Sequence, residues 1–238
     1  MARGFGVSIA PIPVHFLDAA PKPQAHKAVP KSTSTTASNL ASSKIQFEDK
    51  SVRTRISNGC NAVIAAEPVI TEYDTVVGDG DCGYTLRDGA KKVLDFVSDK
   101  DLSRLPAVVA DLVRELEVNM GGTSGALYCI FLTALANSLA SAPSVQEALA
   151  GALTEMCKYT RARVGDRTMM DALIPFIEGF QKSGKPDEGL KGAKEGVEGT
   201  KRMEAKLGRS TYLDESATRG VPDPGAYGLL VLLEGMCQ

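Results

Sequence analysis

From Lys44 onward the apolar residues recur at helical spacing. In "SVRTRISNGCNAVIAAEPVITEYD", Val52, Ile56, Cys60, Val63 and Ile64 share one face, and Pro68 predicts a stop. "SRLPAVVADLVRELEVNMGG" repeats the pattern at Val109, Leu112, Val113 and Leu116, with Ser103 as expected N-cap and Gly121 and Gly122 as the end. "SGALYCIFLTALANSLASA" is apolar nearly all round, which predicts a central, buried helix. Ser144 and Glu147 fit a capping box before the next one. "RTMMDALIPFIEGFQ", "KPDEGLKGAKEGVEGTKRMEAKL" and "PGAYGLLVLLEGMC", with the segment after Gly83, bring the set to about eight helices. No alternating strand follows residue 47. The expected class is all-α, and short connections favour an antiparallel bundle or barrel.

Residues 1–47 break the pattern. "PKPQAHKAVPKSTSTTASNLASSK" has no acidic residue and too little apolar surface to order itself, so it predicts a linker. Before it, "FGVSIAPIPVHFL" alternates like one strand of a domain whose other strands are absent. A targeting segment is the competing reading, since this stretch is poor in acid and rich in hydroxyls. Its single early Arg and its prolines at 11 and 13 speak against that.

Composition narrows the chemistry. The chain has 238 residues, 43% hydrophobic and 24% charged, as a globular protein does. Its 27 basic and 29 acidic residues nearly balance, which gives no reason to expect nucleic acid or an anionic membrane as partner. No uninterrupted apolar run approaches the roughly 18 residues of a membrane span. Five scattered cysteines without a CxxC pair read as reduced thiols, which suggests a cytoplasmic setting. The only histidines, His15 and His26, precede the helical region. That region therefore cannot build a Ser-His-Asp triad, a Cys-His pair or a histidine-rich zinc site. Carboxylates, hydroxyls, backbone amides, Arg and Lys remain, and these suit magnesium and phosphate.

The polar motifs fall between the helices. "YDTVVGDGDCGYTL" brings Asp74, Asp79 and Asp81 together, with Gly78, Gly80 and Gly83 allowing the chain to turn them onto one point. Close carboxylates repel unless a cation neutralises them, and an all-oxygen set suits Mg²⁺, Mn²⁺ or Ca²⁺. A solvated acidic turn is the plain alternative. An EF-hand fails, because Tyr84 stands where its glycine belongs and Ala90 where its bidentate Glu belongs. "GGTSG" (Gly121 to Gly125) can cradle an anion with free amides and the Thr123 and Ser124 hydroxyls, or simply cap two helices. "GDRTMMDAL" offers Asp166 as a cap and Met169 and Met170 as adenine-packing or core side chains. Arg209 in "GRSTY" suits phosphate or a helix C-terminus. "DPGAYG" predicts a helix start at Pro224 capped by Asp223.

Taken together and in order, "AAEPVITEYDTVVGDGDCGYTLRDGA", "GGTSGALY", "GDRTMMDAL", "GRSTYL" and "DPGAYG" resemble the nucleotide-binding L domain of dihydroxyacetone kinases, from about residue 50 to the end. The resemblance implies an antiparallel eight-helix barrel over 48–238, with ATP and Mg²⁺ at one end. It places the metal on Asp74, Asp79 and Asp81, and catalysis on Asp79, Asp81 and Arg209. Nucleotide contacts fall on Cys82, Gly122, Thr123, Ser124, Met169 or Met170, Arg209, Asp223, Pro224 and Gly225. Relatives with His in place of Cys82 often keep ADP fixed; the Cys form resembles the exchanging type. The family's K domain, which holds dihydroxyacetone or glyceraldehyde through a histidine, is almost wholly missing, and residues 1–47 resemble only its last strand and a linker. The resemblance thus implies a kinase domain served by a K domain on another chain, as a homodimer or beside full-length kinase. Two alternatives are a non-catalytic nucleotide-binding copy that regulates such a kinase, and a kinase for another acceptor, as in fatty-acid kinases.

Overall fold

Eight α-helices carry most of the described residues: α1 (Asp49–Val77), α2 (Cys82–Val97), α3 (Leu105–Asn119), α4 (Gly122–Ser141), α5 (Val145–Met156), α6 (Met170–Ser183), α7 (Pro186–Thr200) and α8 (Pro224–Cys237). This computed structural model describes residues 43–207, 211 and 219–238, and no strand occurs among them. The expected linker and strand lie almost wholly outside the described residues, as do Arg209 and Tyr212. Each helix packs on its neighbours in sequence, and α8 returns to pack on α1, which closes the ring. All-α closure needs no sheet edge and no long crossover.

α1 runs straight through Pro68, contrary to the expected stop. Its inward stripe of Cys60, Val63, Ile70, Asp74 and Val77 keeps helical register across the proline, which sits exposed on the outer face. Burial on one face outweighs one lost backbone hydrogen bond on the other. The expected cap at Ser103 also shifts. Asp101 accepts from the Ser103 amide at 3.1 Å and caps a 3₁₀ turn (Leu102–Arg104), after which α3 begins with Pro106 in its first turn. Ser144 caps α5 as expected, accepting from the Glu147 amide at 3.2 Å.

α4 is a wall of the ring and not a central helix. Thr133, Asn137 and Ser141 stand four apart on its exposed face, while Cys129, Phe131, Ala134, Ala136 and Leu139 are buried. At 20 residues and a mean hydropathy of 1.3 over its best window, it is the one helix among the described residues long and apolar enough to cross a bilayer. Here one face packs between α3 and α5.

α6 and α7 approach so closely that backbone meets backbone. A Cβ on Gly189 would stand 2.7 Å from the Phe176 carbonyl oxygen, one on Gly192 2.7 Å from that of Pro175, and one on Gly196 would overlap that of Asp171. The glycines that weaken α7 as an isolated helix are therefore its packing surface. α7 stops at Thr200, short of the expected 207, because the buried Thr200 hydroxyl donates to Val197 O and accepts the Asp223 amide.

Antiparallel alternation has one consequence for chemistry. The C-termini of α1, α3, α5 and α7 and the N-termini of α2, α4, α6 and α8 share one end of the ring. The polar motifs occupy those junctions. At the other end, Arg53 binds the Val97 and Lys100 carbonyls at 2.5 and 2.7 Å, and Arg55 the Met236 carbonyl at 2.9 Å.

Candidate metal and nucleotide site

Asp74 lies in the last turn of α1, not on the loop where the sequence put it. Only 7% of it is exposed, and its Oδ2 accepts the Cys82 amide at 2.9 Å, pinning the start of α2. The helix ends when the Gly78 amide donates to Asp74 O at 2.7 Å; a Cβ at Gly78 would strike Asp74 Oδ1. Gly80, at φ +76°, then reverses the chain in the left-handed region that side chains disfavour. Asp79 and Asp81 are exposed on this turn. Asp81 holds the cap position of α2, yet its carboxylate does not cap the helix.

One oxygen from each of Asp74, Asp79 and Asp81 lies within 4.8 Å of the others. Oxygens around an octahedral Mg²⁺ stand roughly 3 to 4.2 Å apart, given a bond of about 2.1 Å. The cluster is therefore slightly open for the ion and of the right chemistry. Without sulfur or imidazole it suits a hard cation.

Across the end of the ring, Gly121 is extended and Gly122 opens α4 at φ +71°. Among the described residues, no atom beyond their own stretch of chain lies within 4 Å of where a Cβ on either would stand, which leaves these first-turn amides open to a ligand. Cys82 joins the two halves. Its thiol is pushed up to about 12, first by burial and then by the surrounding carboxylates of Asp74, Asp223 and Asp81, while a hydrogen bond with Ser124 opposes the shift. At neutral pH it is a thiol, packing between the acidic turn and α4, and not a nucleophile. Tyr128, one turn along α4, is likewise raised by burial and by Cys82.

Asp223 caps α8 as expected, its Oδ1 accepting the Ala226 amide at 2.7 Å, with Pro224 in the first turn. Met169 lies against Gly225, its Cβ 3.8 Å from where a Cβ there would stand. Met170 is fully buried in the core, and Met169, 6% exposed, belongs to the same cluster. Asp166 does not cap α6 either. It accepts the Arg163 amide at 2.8 Å and pairs with Lys206 at 3.3 Å.

Sequence reasoning missed three buried residues behind the site: Asp171, Arg167 and Thr200. Asp171 accepts the Gly165 and Thr168 amides at 2.6 and 2.8 Å and so shapes the loop before α6. Its signal was present in "TMMD", a hydroxyl residue followed three positions later by an acid.

The Asp223 carboxyl is pushed up to about 7, chiefly by burial and further by Asp171 and Asp74, against the pull of the Ala226 amide and Arg167. Folded Asp223 thus holds its proton more tightly than unfolded aspartate, which titrates near 3.8. Its contribution favours the fold at low pH and is lost as pH rises from about 4 through about 7. In metal-free protein, Asp223→Asn keeps the cap and flattens the fall in urea midpoint between about pH 4 and about pH 7. An unchanged slope in that variant would show that Asp223 is ionised throughout.

The DAK2 domain profile matches residues 76–238. The chain is 41% identical over 218 residues to dihydroxyacetone kinase of Pichia angusta, covering 83% of this chain and 36% of that one. It is 40% identical over 215 residues to dihydroxyacetone kinase of Komagataella pastoris, covering 82% and 35%. Among solved structures, dihydroxyacetone kinase from C. freundii in complex with AMP-PNP and Mg²⁺ superposes with a TM-score of 0.68 at 29% identity, over 81% of this chain and 34% of that one. The chain thus spans little more than a third of these relatives' length. Profile, sequence and fold agree, and this chain belongs to the DAK2 domain family, the L domain of dihydroxyacetone kinases.

Proposed function

We propose that residues 48–238 bind Mg-ATP and transfer its γ-phosphoryl group to dihydroxyacetone or glyceraldehyde held by a K domain. The observation that carries this reading is the convergence of Asp74, Asp79 and Asp81 with their oxygens within 4.8 Å, at the same end of the ring as the open start of α4. Asp74, Asp79 and Asp81 would hold the magnesium, which when bound neutralises phosphate charge. The Gly122, Thr123 and Ser124 amides sit at the positive end of α4 and suit phosphate oxygens. Cys82, Met169 and the Asp223–Gly225 turn line the space between. Arg209 is proposed to add positive charge to the transferring group. In the reaction the acceptor oxygen bonds to the γ-phosphorus, the bond to the bridging oxygen breaks, and ADP leaves. The acceptor's proton leaves to a base beside the acceptor hydroxyl, which this reading puts on the K domain.

A second reading is a nucleotide-binding copy that regulates a kinase without catalysis. Mixing separates the two. With an isolated K domain, Mg-ATP and dihydroxyacetone, a catalytic chain yields triose phosphate with turnover. A regulatory chain binds nucleotide and yields none.

A further inference from the structure

We propose that Arg167 is a positioning residue, which with Thr200 fixes Asp223 at the edge of the Mg-nucleotide site by tying the loop before α6 to the end of α7 and the start of α8. The inference rests on the nucleotide reading of that site.

Arg167 is 2% exposed and takes φ +59°, the one non-glycine among the described residues with positive φ. Such a backbone persists only where its surroundings over-determine it. Here they do. Arg167 Nε donates to Thr200 O at 3.2 Å and Nη2 to Val221 O at 3.0 Å. Thr200 Oγ1 accepts the Asp223 amide at 2.9 Å. Asp223 is thus held at its own amide, at the carbonyl two residues earlier, and at its carboxylate by Ala226. The loop that carries Arg167 is fixed in turn by Asp171, through the Gly165 and Thr168 amides.

The arrangement places charge as well as backbone. Asp223 feels Asp171 and Asp74 as like charges and Arg167 as the opposing one. Asp223 caps the start of α8, at the end of the ring that also carries Asp74 and Cys82, and its segment is tied to the buried guanidinium through Val221 O. A lysine cannot replace that guanidinium, because one ammonium lacks the planar fork that reaches two carbonyls at fixed separation.

The test uses the full chain with R167K, T200V, T200S and, as a control of stability alone, G189A in the far turn of α7. Each is titrated with a fluorescent ATP analogue and Mg²⁺, its thermal midpoint is recorded, and amide hydrogen exchange is followed at Ala226. R167K and T200V are expected to weaken Mg-nucleotide binding about 10-fold, as loss of outer partners of a metal site does, and to speed Ala226 exchange. T200S should restore both. G189A should lower the midpoint and leave affinity and Ala226 exchange unchanged. If R167K and T200V lose no more affinity than G189A at a comparable midpoint, the positioning role is overturned while the nucleotide reading stands. If the unaltered chain binds no Mg-nucleotide, both fall.

Discussion

Replacing Asp79 and Asp81 together by Asn abolishes Mg-dependent nucleotide binding and leaves the metal-free protein at least as stable as before. Both halves follow from one arrangement. Three carboxylates with oxygens within 4.8 Å repel one another when no cation lies among them. Two neutral amides remove that repulsion, so the thermal midpoint without Mg²⁺ holds or rises, as often happens when functional strain is relieved. The same change removes two of the three proposed anionic ligands. Affinity for Mg-ATP should fall by at least about 100-fold, beyond the usual effect of disturbing outer partners of a metal site. Asp79 and Asp81 are exposed, so the fold should tolerate the change. In the unaltered chain, saturation to about 100 times Kd should add about 2.7 kcal/mol of stability. Calorimetric titration and thermal unfolding, each with and without Mg²⁺, read all of this. Undiminished Mg-ATP affinity in the double variant would remove the acidic turn from the site.

Gly196→Ala should destabilise the fold by about 3 kcal/mol, the top of the usual overpacking range, lowering Tm by about 6 to 12 °C. The sign is the informative part. In an exposed helix interior, Gly→Ala stabilises by up to about 1 kcal/mol. At Gly196 the new methyl would overlap the Asp171 carbonyl oxygen, a backbone atom that cannot swing aside. Asp171 also shapes the loop before α6, so the strain passes toward the site. Gly199→Ala is the control in the same helix. Its methyl would meet only the flexible end of Met203, at 3.1 Å, and should be neutral or stabilising. If both substitutions raise Tm, α6 and α7 are not packed backbone to backbone.

The sequence by itself determined the helices and the class of chemistry. Stripes such as Val109, Leu112, Val113 and Leu116 allow one conformation and one inward face, and these four are buried. The absence of histidine after residue 26 confined the chemistry to oxygen ligands and phosphate partners. Tertiary structure alone decided where the special residues stand. Pro68 reads locally as a stop, yet burial of Ile70, Asp74 and Val77 carries α1 past it and moves Asp74 from loop to helix. Met169 and Met170 are alike in sequence and both are buried in the core, and only the docking of α6 brings Met169 against Gly225. Arg167 has no local pattern at all, because its partners are carbonyls at Thr200 and Val221. Periodicity records what each residue does within its own helix. Long-range contacts depend on how helices pack, and no short window of sequence contains them.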